Sequence, residues 1–192
     1  MTPTPHRQPG RRLAAVLEEV ADSEHYLFTL ADLRGALPEI GAGAFKTLLS
    51  RAEKRGLLQR VCRGLYLYPR VDYPRDLLLF HAAARLRADA FNYISLETAL
   101  SDAGVISQIP LNWITLMSSG RRNIVRCGRF GTIEFIHTRQ QPAALAAELT
   151  YDPRCRLWRA SVSLALRDMR ATRRNLDLID EELAREFAHE SD

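Results

Sequence analysis

Residues 43–66 read GAFKTLLSRAEKRGLLQRVCRGLY, and the fold of the first third of the chain turns on that stretch. Phe45, Leu48, Leu49 and Ala52 recur at helical spacing, while Lys46, Thr47, Ser50, Arg51 and Lys54 fall on the opposite face. The spacing predicts an amphipathic helix over 43–55, ended by Gly56, because glycine enters the left-handed region past a helix C-terminus without steric cost. Beyond it, 57–62 and 65–68 are β-prone, and Arg63-Gly64 between them has the form of a tight hairpin turn whose glycine supplies a positive φ. A helix followed at once by a two-stranded hairpin is the second half of a winged helix-turn-helix.

The residues upstream supply the first half. Over 11–21, Leu13, Val16, Leu17 and Val20 make an i, i+3, i+4, i+7 stripe with Glu18 and Glu19 outside it, which predicts a first helix. Residues 26–29 are a short β-prone run. Thr29 or Leu30 then opens a second helix over 31–37, with Asp32 in its first turn and Pro38 and Gly41 closing it. Two prolines within 69–74 mark a boundary, giving a winged helix-turn-helix over 1–72 and a second domain over 73–192.

The second domain predicts helices over 76–86 and from 95 onward, with Ser95 and Thr98 near the cap. Strands are expected at 113–117, 123–127 and 131–138, with Arg121 and Arg122 in the turn between the first two. Helices are expected over 142–149 and 157–173, then over 176–187, where Asp180, Glu181, Glu182 and Glu186 form an acidic face. The fold class is therefore α+β: an N-terminal winged helix-turn-helix and a C-terminal α/β domain with a small sheet and several helices.

Charge separates the two halves. Residues 1–75 carry 12 Lys+Arg against 8 Asp+Glu, a net of +4, whereas 76–192 carry 15 against 15. Within 43–75 eight cations oppose only Glu53 and Asp72, a net of +6, which suits a polyanionic partner. Of the 27 basic residues 25 are arginine, the better fork for phosphate and guanine edges.

An α-helix fits the DNA major groove, where base edges present donor and acceptor patterns that Lys, Arg, Ser and Thr can read. Gly43 and its small neighbours Gly41, Ala42 and Ala44 would let the backbone approach phosphate closely. Lys46, Thr47 and Ser50 are the candidates for base edges, with Arg51 and Lys54 divided between bases and phosphate. Arg60 and Arg63 on the wing would reach a neighbouring phosphate or the minor groove, and Arg11 and Arg12 the backbone. The alternative is a solvated helix face and a solubilising edge strand, with the two domains serving as a protein-docking module and no sequence-specific DNA binding.

Catalysis has no visible machinery here. The chain carries no GxxxxGK[ST] loop, GxSxG elbow or HExxH motif, and His6, His25, His81, His137 and His189 are scattered. No enzyme activity, cofactor or metal is expected. Cys62, Cys127 and Cys155 fit neither a disulfide framework nor a CxxC site and read as reduced thiols. No apolar run spans a bilayer and the first twelve residues lack the core of a secretion signal, so a cytoplasmic location away from membranes is expected.

Two stretches carry a family resemblance. Residues 56–66, ending in Arg63-Gly64-Leu65-Tyr66, resemble the wing of the AbiEi antitoxins of type IV (abortive-infection) toxin–antitoxin systems. Residues 93–101, YISLETALS, with Gly104-Val105-Ile106, a Gly-Arg-Arg turn and the later 131–137, GTIEFIH, are similar to that family's C-terminal domain. The resemblance implies a two-domain antitoxin and transcriptional autorepressor used in phage defence. Its winged helix would bind inverted repeats of double-stranded DNA in its own promoter, and its second domain would counter a nucleotidyltransferase-like toxin encoded alongside.

Overall fold

The computed structural model describes residues 9–106, 112–177 and 179. The chain divides into two compact units, Met1–Asp76 and Leu77–Asp192.

In the first unit α1 (Pro9–Val20) buries Leu13 and Leu17, two members of the apolar stripe. After β1 (Leu27–Thr29) comes α2 (Leu30–Gly35), held by a reciprocal cap. The Thr29 hydroxyl accepts from the Asp32 amide at 3.2 Å, and the Asp32 carboxylate accepts from the Thr29 amide at 2.7 Å. The helix ends at Gly35, short of the expected 37, but Leu37 remains fully buried.

Next come α3 (Ala42–Lys54), β2 (Gln59–Cys62) and β3 (Leu65–Leu67), with β3 central in an antiparallel sheet of order β1-β3-β2. This is the element order that the sequence assigns to a winged helix. Leu13, Leu17, Leu33, Leu37, Phe45, Leu49 and Leu58 form one core joining the three helices to the hairpin. Each such side chain contributes roughly 1.5–3 kcal/mol when removed from water.

The second unit carries a mixed six-stranded sheet of order β6-β7-β5-β4-β9-β8. Its strands are β4 (Asn92–Ile94), β5 (Trp113–Ser118), β6 (Asn123–Arg126), β7 (Thr132–His137), β8 (Leu149–Asp152) and β9 (Leu157–Ala160). The β5–β7 and β4–β9 pairs are parallel and the others antiparallel. Its helices are α4 (Leu78–Leu86), α5 (Leu96–Asp102), α6 (Pro142–Leu145) and α7 (Val162–Ala171). With the first unit, this makes the chain α+β.

Two helical expectations are corrected here. Residues 157–160 are strand β9, and the helix starts only after Ser161, whose hydroxyl accepts from the Leu164 amide at 3.1 Å. The expected helix over 142–149 stops at Leu145, passes through a 3-10 turn at Ala146–Glu148 and becomes β8 at Leu149. The hairpin wins because Tyr151 and Trp158 pair across it, ring centroids 5.4 Å apart, while Leu157 and Ala160 are buried. The acidic helix over 176–187 lies outside the described residues apart from 176, 177 and 179.

A buried polar centre ties α7 to the sheet. The Asp168 carboxylate accepts from Ser95 Oγ at 2.8 Å, from the Tyr93 hydroxyl at 3.0 Å and from Gln140 Nε2 at 3.2 Å. Ser95 flanks α5 as expected, but its hydroxyl serves Asp168 and makes no cap bond to the helix.

Candidate nucleic-acid interface

α3 owes its orientation to its apolar face. Phe45, Leu48, Leu49 and Ala52 are all buried, which turns Gly43, Lys46, Thr47, Ser50, Arg51 and Lys54 to solvent. The expected separation of faces is therefore present in every named residue. Arg55, at the helix C-cap, is also exposed.

The start of the helix is bare. Gly41 caps it without any side-chain hydrogen bond, and Ala42, Gly43 and Ala44 are exposed. Among the described residues, a Cβ built on Gly43 meets nothing within 4 Å, so none of them requires glycine there. The first-turn amides of a helix carry a partial positive charge and seek acceptors, and this end offers them with no bulk in the way. The Thr47 hydroxyl donates to the Gly43 carbonyl at 3.1 Å.

The turn of the wing is pinned to the start of α2. In β2–β3, Gln59 faces Leu67, Arg60 faces Tyr66 and Cys62 faces Leu65, with a bulge between Arg60 and Cys62. The bulge buries Val61 and Cys62 in succession and leaves Arg60 exposed. Gly64 adopts φ 84°, a conformation L side chains rarely take, and its carbonyl accepts from the Leu30 amide at 3.0 Å. This bond ties the hairpin turn to the start of α2, with Arg63 exposed beside it.

Arg60 Nε donates to the Cys62 carbonyl at 3.3 Å, which steadies the guanidinium along the wing. Across the strand, burial raises the Tyr66 phenol above its ordinary value; Glu53 adds to the rise and Arg60 opposes it. Cys62 is buried, as are Cys127 and Cys155, and none is in a disulfide. No cluster of three or more His, Cys, Asp or Glu suited to a metal occurs among the described residues.

Residues 16–69 match the family model of the transcriptional regulators described as AbiEi antitoxin. The matched residues run from within α1 to just past β3, so they contain α3 and the whole wing. Both α3 and the Arg63-Gly64 turn thus fall inside the AbiEi match. The second unit lies beyond it, including residues 93–137, on which the sequence resemblance also drew. No curated protein matches the chain.

Three cationic residues near α3 receive no place in the interface helix or wing from the sequence: Arg55 and Arg70, which enter only through the +6 charge excess of 43–75, and Arg11, which is read only as a backbone contact. They line a groove with Thr47 and Arg51. The signal present in the sequence is the spacing of Thr47, Arg51 and Arg55 by single helical turns; that Arg11 and Arg70 join them depends on packing.

Proposed function

We propose that the chain is a DNA-binding transcriptional autorepressor and the antitoxin of a type IV toxin–antitoxin system, acting without catalysis of its own. The winged-helix domain, residues 1–72, binds inverted repeats in its own promoter. α3 enters the major groove, with Lys46 and Ser50 at base edges, Gly43 at the closest backbone approach, and Thr47, Arg51 and Lys54 alongside. Arg60 and Arg63 on the wing hold the flanking phosphates. Domain 73–192 serves the antitoxin role against a nucleotidyltransferase-like toxin in the cytoplasm.

The observation that carries this reading is the solvent-facing row of cationic and hydroxyl side chains on α3, lying with the wing inside the AbiEi transcriptional-regulator match. Absence of a membrane-crossing helix among the described residues is compatible with it.

A gel-shift titration of the full chain on the upstream intergenic DNA, at two salt concentrations, tests the proposal. Binding that prefers this DNA to a random duplex and weakens as salt rises is expected. Equal affinity for both, with co-purification of the neighbouring gene product, would favour the protein-docking alternative.

A further inference from the structure

The exposed side of α3 is divided into two rows. Lys46, Ser50 and Lys54 follow one another by single turns, and Thr47, Arg51 and Arg55 form the adjacent row. Only the second row borders a groove of about 760 Å³, whose far wall is the first turn of α1 with Arg11. Arg70 also lines it, and Leu13 and Leu48 lie in its floor.

Four guanidinium groups thus surround one groove, and no carboxylate is among the residues lining it. Arg70 also meets Glu18 at 3.6 Å, with both side chains more than half exposed, a pair that contributes little. Such a groove fits an occupant with repeated negative charges.

We infer that the groove seats the sugar–phosphate backbone of one DNA strand, with Arg11, Arg51, Arg55 and Arg70 on its phosphates. The Lys46–Ser50–Lys54 row is left to face base edges. The inference rests on the DNA-binding reading and goes beyond it by dividing the work. Arg51, which the sequence divides between bases and phosphate, goes to the phosphate-holding set, and Arg55 and Arg70 join the interface.

The two rows then have separable phenotypes. Fluorescence anisotropy of the full chain on the upstream duplex and on a random duplex of equal length, over a range of salt, distinguishes them. Arg55→Gln and Arg70→Gln should each weaken both duplexes by the same factor and reduce the slope of log K against log salt by about 0.9 for each phosphate no longer neutralised. Arg55→Lys and Arg70→Lys should keep most of the slope.

Gln variants that melt like the parent yet keep its affinity and slope would overturn the inference while leaving the DNA-binding reading standing. The same holds if they alter the preference between the two duplexes. A parent chain that binds neither duplex would overturn both.

Discussion

The Thr47 hydroxyl gives its proton to the Gly43 carbonyl one turn earlier, at 3.1 Å, so within the proposed interface helix one candidate DNA-facing residue is already engaged by another. Thr47 is left with acceptor capacity only, whereas Ser50 makes no such back-bond among the described residues and lies in the row turned from the groove. Ser50→Ala is therefore expected to lower the preference for the upstream duplex more than Thr47→Val does. Parallel anisotropy titrations check this; a larger drop from Thr47→Val would reverse the assignment.

Gly43 separates stability from binding. None of the described residues lies within 4 Å of an added Cβ, and glycine in a helix is worse than alanine by roughly 0.5–1 kcal/mol. Gly43→Ala should raise the denaturant midpoint by up to about that energy, with an unchanged slope, while weakening DNA binding where the backbone comes closest. A variant both more stable and an equally good binder would remove Gly43 from the interface.

The reciprocal cap holds the start of α2, the helix before α3. Thr29 and Asp32 satisfy each other's backbone amides, so Thr29→Ala should cost about 1 kcal/mol, measured by urea denaturation. Thr29→Ser, which keeps the acceptor oxygen, should recover most of it. Equal destabilisation by both variants would mean that the methyl group, not the cap, matters.

Asp168 gives the second unit a pH dependence opposite to the common carboxylate pattern. Burial raises its pKa, against the lowering effects of Ser95, Tyr93, Arg167 and Gln140. A carboxyl whose folded pKa is raised contributes stability below its unfolded pKa and loses it as pH climbs through the folded value. Asp168→Asn should flatten this dependence at modest cost, since the Tyr93 and Ser95 hydroxyls can turn to accept from the amide. Asp168→Leu strands three donors and should cost several times more, at about 1–3 kcal/mol per unsatisfied group. Thermal melts of the three proteins between about pH 4 and about 8 decide it; parallel curves for the parent and Asp168→Asn would contradict the assignment.

Thiol chemistry should be silent in the native protein. Burial, reinforced by Asp152, pushes the Cys155 thiol up to about 12, and Cys62 and Cys127 are buried as well. Iodoacetamide at about pH 8, which attacks thiolate, should label none of the three until urea is added, as read by intact mass. Rapid native labelling at Cys155 would show that its surroundings open readily.

Sequence patterns are most informative where they are local. The α3 stripe of Phe45, Leu48, Leu49 and Ala52 and the Arg63-Gly64 turn are each written within a few residues, and each is found where expected, while the choice of Thr29 over Leu30 as the start of α2 comes from its cap with Asp32. The second unit depends on long-range pairing. β4 has only three residues, all buried, too few to show an alternation, and its partners β5 and β9 come from far along the chain. Residues 142–160 mislead because a run rich in alanine and leucine favours helix, yet Asp152-Pro153 breaks it and the Tyr151–Trp158 pair rewards a hairpin. The arginine groove is hidden for a similar reason, as Arg11 and Arg70 reach α3 only through packing.

The central claim is that α3 reads DNA sequence, and the preference ratio of a Lys46→Ala/Ser50→Ala variant tests it most directly. Measured on the upstream and random duplexes, the parent should favour the upstream DNA, and the variant should lose most of that preference while still binding the random duplex, each base-edge interaction removed being worth about 1–3 kcal/mol. A parent without preference, or a variant that keeps the parent's ratio, would contradict the account.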